Sequence, residues 1–389
     1  MHLDSTGESA LKRTWTKYGA ALLRAIVAVV VVRIASRPTP VVVAVMLSEA
    51  ASGPEVKRAA QMYFDDLNAD GGVDGVPIQL EFHEGVDNAD DAITAATSVV
   101  ESDAWLVLGP NLSTAAIAAA AQLDGVIVGI TPTATATEVT QGHDWYFRTA
   151  PSTKGQGNVL ASYLLEIIGV RSVAVVLHPD DTYSRSFANE FVRPFVALGG
   201  SATEYELPHN TAEKTRSEAQ AERDRIIAEL IEDMSPPHTE LPEDRSTPPD
   251  AIVLSLLGEE AADFVVDLRR RGITIPIVGG AALVGSSFVE RFRTYSEEIA
   301  NPGVFSDGVL TTTPFLFDTA DEAGRRFKQK FEQVYPGREP TWHAAATHDA
   351  AQVAEQAIRS ALRSSRDHRG RPRQGLRVFF PTRRSATGL

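Results

Sequence analysis

The chain has no cysteine among its 389 residues. That excludes disulfides, thiolate zinc sites, cysteine nucleophiles and a lipid anchor built on cysteine. It leaves the redox compartment open, because an exported protein can do without disulfides. Both nucleotide fingerprints are missing, G-x-G-x-x-G as well as G-x-x-x-x-G-K-[ST]. So are the G-x-S-x-G elbow and H-E-x-x-H. Basic charge is scarce: Lys plus Arg is 37 against 51 for Asp plus Glu, a net charge of −14. This balance argues against nucleic acid or an anionic membrane surface as the main partner.

His343 and His348 sit five apart with Asp349 beside them. A metal-binding helix face wants spacings of three or four, so they are read as helix-surface histidines and no metal is expected. His143 and His178 have no evident acid or metal partner, and Glu259 and Glu260 suit the positive end of a helix dipole better than paired-carboxylate catalysis. With no nucleophile, base or metal cluster surviving, neither an enzyme nor a cofactor is expected.

Hydrophobic residues are 43% of the chain, enough for a sizeable core, and the length suits two domains. At the N-terminus Lys12, Arg13 and Lys17 precede "YGAALLRAIVAVVVVRIASRP". Basic then apolar is the order of an export segment. The competing reading is a β-branched strand or buried helix of a cytosolic protein. No A-x-A cleavage site is evident, so residues 1–37 are expected to form an export segment or retained membrane anchor, with the bulk extracytoplasmic.

From Pro40 onward apolar strands alternate with amphipathic helices. "VVVAVML" reads as a strand covered on both faces, followed by a helix from about Pro54 carrying Val56, Ala59, Ala60, Tyr63 and Leu67 at helical spacing. "PIQLEFHE", "WLVLG", "GVIVGIT", "RSVAVVLH", "DAIVLSLL" and "TIPIVGG" read as further strands. Such alternation implies α/β architecture with parallel sheets, and this many strands need two of them. Residues 210–250 break the rhythm with a charged helical segment and then "SPPHTELPEDRSTPPD". They are read as a solvated acidic, Pro-rich insertion. Residues 366–389 are basic and without period, and read as an irregular tail or a fold cut short.

Two strands run into small polar turns: "WLVLGPNLSTAAIAAAA" and "VIVGITPTATATEV". In parallel sheets ligands bind beyond the carboxyl ends of strands, where helix N-termini present unpaired N–H groups. Ser113 is placed as a helix N-cap that also offers its hydroxyl to an anion, with Thr133 and Thr135 adding hydroxyls from the neighbouring strand end. The bland alternative is helix capping alone.

These segments carry a resemblance. "AAQMYFDDLNADGGVDGVPIQLEF", "LGPNLSTAA", "GITPTATATEVTQGHDWYFRTAPSTKGQG" and "VVLHPDDTYSRSFANEF" resemble the type I periplasmic binding proteins, within them the branched-chain amino acid (Leu/Ile/Val) binding group of ABC importers. The resemblance covers about residues 40–365. It implies two Rossmann-like lobes joined by crossover strands, with a ligand cleft between them. Lobe 1 would be 40–150 and 312–365, and lobe 2 would be 151–311. Crossovers would fall near 148–151 and 310–314, and no segment matching the family's third crossover is found.

The resemblance also implies site residues. Ser113, Thr133 and the Ala134-Thr135 pair would hold a ligand carboxylate, and Tyr183 would contact the ligand from lobe 2. Asn111 and Ser48 complete the candidate set on lobe 1. Ala281 stands where the family has an acid for the ligand ammonium, and Leu257 replaces an aromatic, with Glu259 or Glu260 the nearest other acids. An ammonium buried without a carboxylate is costly, so a carboxylate-bearing, amide or more apolar small ligand is expected. The implied role is an extracytoplasmic solute-binding protein that closes on its ligand and docks an ABC permease. The alternative is a membrane-anchored sensor of the same fold.

Overall fold

The computed structural model describes residues 38–49, 52–208, 216–234, 248–284 and 286–364. The expected export or anchor segment, the acidic Pro-rich stretch 235–247 and the basic tail 366–389 lie outside the described residues. None of the described helices is long and apolar enough to cross a membrane.

In chain order the elements are β1 (Val41–Met46), α1 (Gly53–Ala69), β2 (Ile78–His83), α2 (Ala89–Glu101), β3 (Ala104–Leu108), α3 (Ser113–Leu123), β4 (Val128–Thr131) and β5 (Tyr146–Arg148). Then follow α4 (Thr153–Ser162), β6 (Ser172–Leu177), α5 (Thr182–Ala197), β7 (Ser201–Glu206), α6 (Arg216–Met234), β8 (Ala251–Ser255), α7 (Gly258–Arg270) and β9 (Ile277–Gly279). The last are α8 (Ser286–Phe292), α9 (Ser296–Ala300), β10 (Val309–Thr311), α10 (Glu322–Val334) and α11 (Trp342–Ser364).

Two five-stranded sheets result, ordered β2-β1-β3-β4-β5 and β10-β9-β8-β6-β7. Every pairing in both is parallel. The fold is therefore two doubly wound α/β units, as the alternation predicted. Each strand order reverses once, between β1 and β3 in the first sheet and between β6 and β8 in the second. Such reversal points open a crevice at the carboxyl ends of the strands.

Both sheets are covered on both faces, which is why their strands read as unbroken apolar runs. On one face of the first sheet Val43, Val45 and Leu108 pack with Phe64 of α1 and Ala350, Ala351 and Ala354 of α11. On the other, Ala44 and Val107 pack against α2 and α3. The chain leaves this sheet after β5 and returns to it after β10, so α11 completes a unit begun more than 290 residues earlier, as its contacts with α1 and β3 record.

The segment read as a solvated insertion is corrected in part. Its helix α6 is the crossover between β7 and β8, and Ile226, Ile227 and Leu230 are buried in the core of the second sheet. Its other face is charged, which masked the apolar stripe. Buried Arg223 on α6 pairs with Asp267 of α7 at 3.1 Å. Strand β7 has no apolar run because it is the sheet edge, with Tyr205 its one buried residue.

Candidate functional site

The first polar turn begins where β3 passes close to β1. Gly109 has φ of 101°, and a Cβ there would lie 2.0 Å from the Met46 carbonyl oxygen. Only glycine fits. Beyond it Asn111 is buried and fully engaged. Its Oδ1 accepts from the Ser48 backbone N–H at 2.8 Å, and its Nδ2 donates to the hydroxyls of Ser48 and Ser52 at 3.0 and 2.9 Å. Ser48 thus positions Asn111, behind the rim rather than on it.

Ser113 is not the N-cap. Leu112 holds that position in extended backbone, without a side-chain cap. Ser113 already lies in the helix, and its hydroxyl accepts from the Ala136 N–H at 3.1 Å, which ties α3 to the second polar turn. The first-turn N–H groups of α3 therefore have no side-chain cap and face the crevice with the positive end of the dipole.

The second turn is laced to the first. Thr131 donates its hydroxyl proton to the Pro110 carbonyl at 2.6 Å, and Thr133 donates to the Asn111 carbonyl at 2.9 Å. The Thr135 carbonyl accepts from Thr153 N–H at 2.7 Å and from Arg148 Nη1 at 3.2 Å; the same Nη1 reaches the Ala136 carbonyl at 2.5 Å. Burial lowers the Arg148 pKa, partly offset by Glu138. Ala134 points into the apolar core with Ala136, Val139 and Tyr146, so it supports the turn and does not line the crevice.

Opposite stand the strand ends of the second sheet. Asp181 caps α5: Oδ1 accepts from the Ser184 N–H at 2.8 Å, and Oδ2 accepts only a long 3.4 Å bond from Thr114 of α3. Tyr183 stacks on Phe187 with ring centroids 6.1 Å apart. Its seat depends on Gly280, where a Cβ would come within 2.6 Å of the phenol oxygen. Ala281 is a backbone junction: its N–H donates to Gln156 Oε1 at 3.0 Å and its carbonyl accepts from Trp342 Nε1 at 3.1 Å.

Between these rims lies a cavity of about 160 Å³, room for a molecule well below drug size. Asn111, Ser113, Thr133 and Thr135 line one side, with Tyr183, Leu257 and Ala281 on the other. The cavity thus gathers six of the eight expected residues and leaves out Ser48 and Ala134. Glu259 and Glu260 do not line it. Glu260 stands 3.2 Å from His178 Nε2, and Glu259 is exposed near Arg291.

Among the cavity residues that the sequence reading missed, four bring chemistry of their own. Asp181 and Asp87 bring carboxylates, and Trp342 and His343 bring the first turn of α11. Asp87 follows the carboxyl end of β2, so applying the strand-end rule to every strand would have found it. Its pKa is raised by burial and by the charges of Asp91 and Glu49. The helix-surface reading of His343 is corrected: it is 8% exposed, because α11 plugs its first turn between the two units. Burial pushes its pKa down to about 3, so it is neutral at ordinary pH. His348 instead packs against Tyr63 and Phe327.

No lysine or arginine lines the cavity among the described residues, and no group of three or more potential ligands there could hold a metal. The crevice therefore offers neutral donors on one rim and carboxylates nearby.

A family model described as a periplasmic binding protein matches residues 48–374. The chain is 33% identical over 145 residues to the Leu/Ile/Val-binding protein BraC3 of Rhizobium johnstonii, covering 36% of this chain and 39% of that protein's length. Its fold is similar to the branched-chain amino acid substrate-binding protein LivJ of Streptococcus pneumoniae, solved with isoleucine: TM-score 0.65, 22% identity, 85% of this chain and 90% of that one covered. It is also similar to a solute-binding protein of an R. palustris ABC transporter, solved with benzoate: TM-score 0.65, 19% identity, 82% and 81% covered. At these two identities the likeness is one of fold.

Proposed function

Because the chain belongs to the type I periplasmic binding proteins, in the branched-chain amino acid group, we propose that it is an extracytoplasmic solute-binding protein that closes on a small amino-acid-like ligand for delivery to an ABC importer. The family consists of substrate-binding proteins and not enzymes.

The observation that carries the proposal is the pairing of the two rims. The Thr135 hydroxyl and the uncapped first turn of α3 suit a carboxylate, and the open Oδ2 of Asp181 suits an ammonium. A bare anion would enter beside two carboxylates with no cation to offset them, an unfavourable addition at low dielectric. A zwitterion neutralises both ends. Asp181 thus replaces the acid missing at Ala281, and a standard α-amino acid becomes acceptable. Lobe 1 is proposed as 40–150 with 312–365 and lobe 2 as 151–311, closing by rotation about the passages after β5 and β10.

Calorimetric titration of the whole chain with amino acids, and with the matching acids that lack the amine, tests this. Binding of an amino acid that weakens at least tenfold in Ser113→Ala and in Asp181→Asn is expected. Tighter binding of the amine-free acids would sink it.

A further inference from the structure

His343 is held in a single tautomer by its neighbours. The Thr341 hydroxyl donates its one proton to the Glu55 carboxylate. Toward the imidazole it can therefore only accept, which places the ring proton on Nδ1, 2.9 Å away. Nε2 is left with a bare lone pair. No described residue donates to it, and it is not among the sealed, partnerless polar atoms of the interior. His343 lines the cavity, and Nε2 is its ring nitrogen without a described partner. The Trp342 ring, 4.0 Å from the imidazole centroid, restrains the ring's tilt. Burial keeps the ring neutral, so at ordinary pH Nε2 stays an acceptor.

Resting on the cleft assignment above, we propose that His343 Nε2 is a specificity determinant: it selects amino-acid-like ligands whose side chain ends in an O–H or N–H donor over apolar side chains of the same size. An apolar group there would strip the acceptor of water and give it no partner. A site built around a hydrogen bond rejects the analogue that lacks it more strongly than an apolar pocket rejects an added hydroxyl. Asp87, on the same cavity, adds acceptor character.

The test uses two near-isosteric pairs, threonine against valine and asparagine against leucine, titrated calorimetrically into the whole chain. Wild type should favour the donor-bearing member of at least one pair by tenfold or more. His343→Phe should reduce that ratio below threefold. Thr341→Val, which frees the tautomer, should reduce it partway and serves if the first variant does not fold. In wild type, the His343 15N resonances should show an unprotonated Nε2 that shifts with the donor-bearing ligand and not with its apolar partner. Equal or better binding of valine and leucine, or an unchanged ratio in His343→Phe, would overturn the inference while leaving the cleft assignment standing. Failure of every amino acid to bind would overturn both.

Discussion

The two rims of the cleft are built from the same kind of strand end and stabilised by opposite means. On the first sheet, the side chains of Asn111, Ser113, Thr131 and Thr133 are bonded to backbone or to one another across the β3 and β4 turns. On the second, Tyr183, Leu257 and Ala281 have side chains set mainly by packing, with the Asp181 carboxylate and the backbone bonds of Ala281 as the polar contacts. A rim whose polar atoms already satisfy each other cannot reorganise cheaply, so its remaining N–H groups are aimed before the ligand arrives. A rim held by packing sets shape. Directional bonds fix the part of a ligand common to a class, and contact surfaces fit the part that varies.

The contrast can be broken most severely at Asn111. Asn111→Ala removes the acceptor that the buried Ser48 N–H uses and a donor to two hydroxyls, a loss of about 3 kcal/mol, read as a drop in denaturation midpoint. Gly280→Ala attacks the packed rim. Its methyl would press on Tyr183 and Phe187, costing about 2 kcal/mol and weakening ligand binding even where folding is retained.

Acid sharpens the comparison between the units. The folded pKa of His343, about 3, lies below its ordinary 6.5. The unfolded chain therefore binds the extra proton between those values. Stability should fall as pH drops from 6.5 toward 3, by up to about 1.4 kcal/mol per pH unit from this group. His178, buried behind the second rim, runs the other way. Burial opposes its charge, but Glu260, the Leu207 carbonyl and Asp181 together outweigh burial and raise its pKa. Its contribution is present below the ordinary pKa and is lost as pH rises through the folded one. Stability measured against pH for wild type and His343→Phe should differ on the acid side, and a flat difference would refute the neutral-histidine account. The smallest effect belongs to Thr114, whose hydroxyl spans the rims through two 3.4 Å bonds. Thr114→Ala should cost about 0.5 kcal/mol in the same assay, against the much larger loss at Asn111.

The α/β architecture was legible because buried parallel strands must be apolar on both faces. "VVVAVML" and "DAIVLSLL" announced themselves. Edge strand β7 and helix α6 did not, since each buries only one side. Ser113, Thr133 and Thr135 were picked out from strand-end position and motif, and Tyr183 from the motif; all four line the cavity. The N-cap assignment of Ser113 failed because capping depends on where the helix begins, one residue from where spacing suggested. Asp181, proposed above for the ammonium, was passed over because the resemblance puts an acid at position 281. His343 could not be placed by local pattern at all, because its burial depends on a helix returning across the whole chain.

That return has a consequence in time. Trp342 reaches from α11 to the carbonyl of Ala281, and His343 beside it closes the cavity. As the chain is made from its N-terminus, the strands of both sheets and the residues of both rims are synthesised before this turn. A shorter polypeptide would lack the wall that Trp342 and His343 give the cavity. If the cavity is the ligand site proposed above, its last wall is added only when synthesis has passed residue 343.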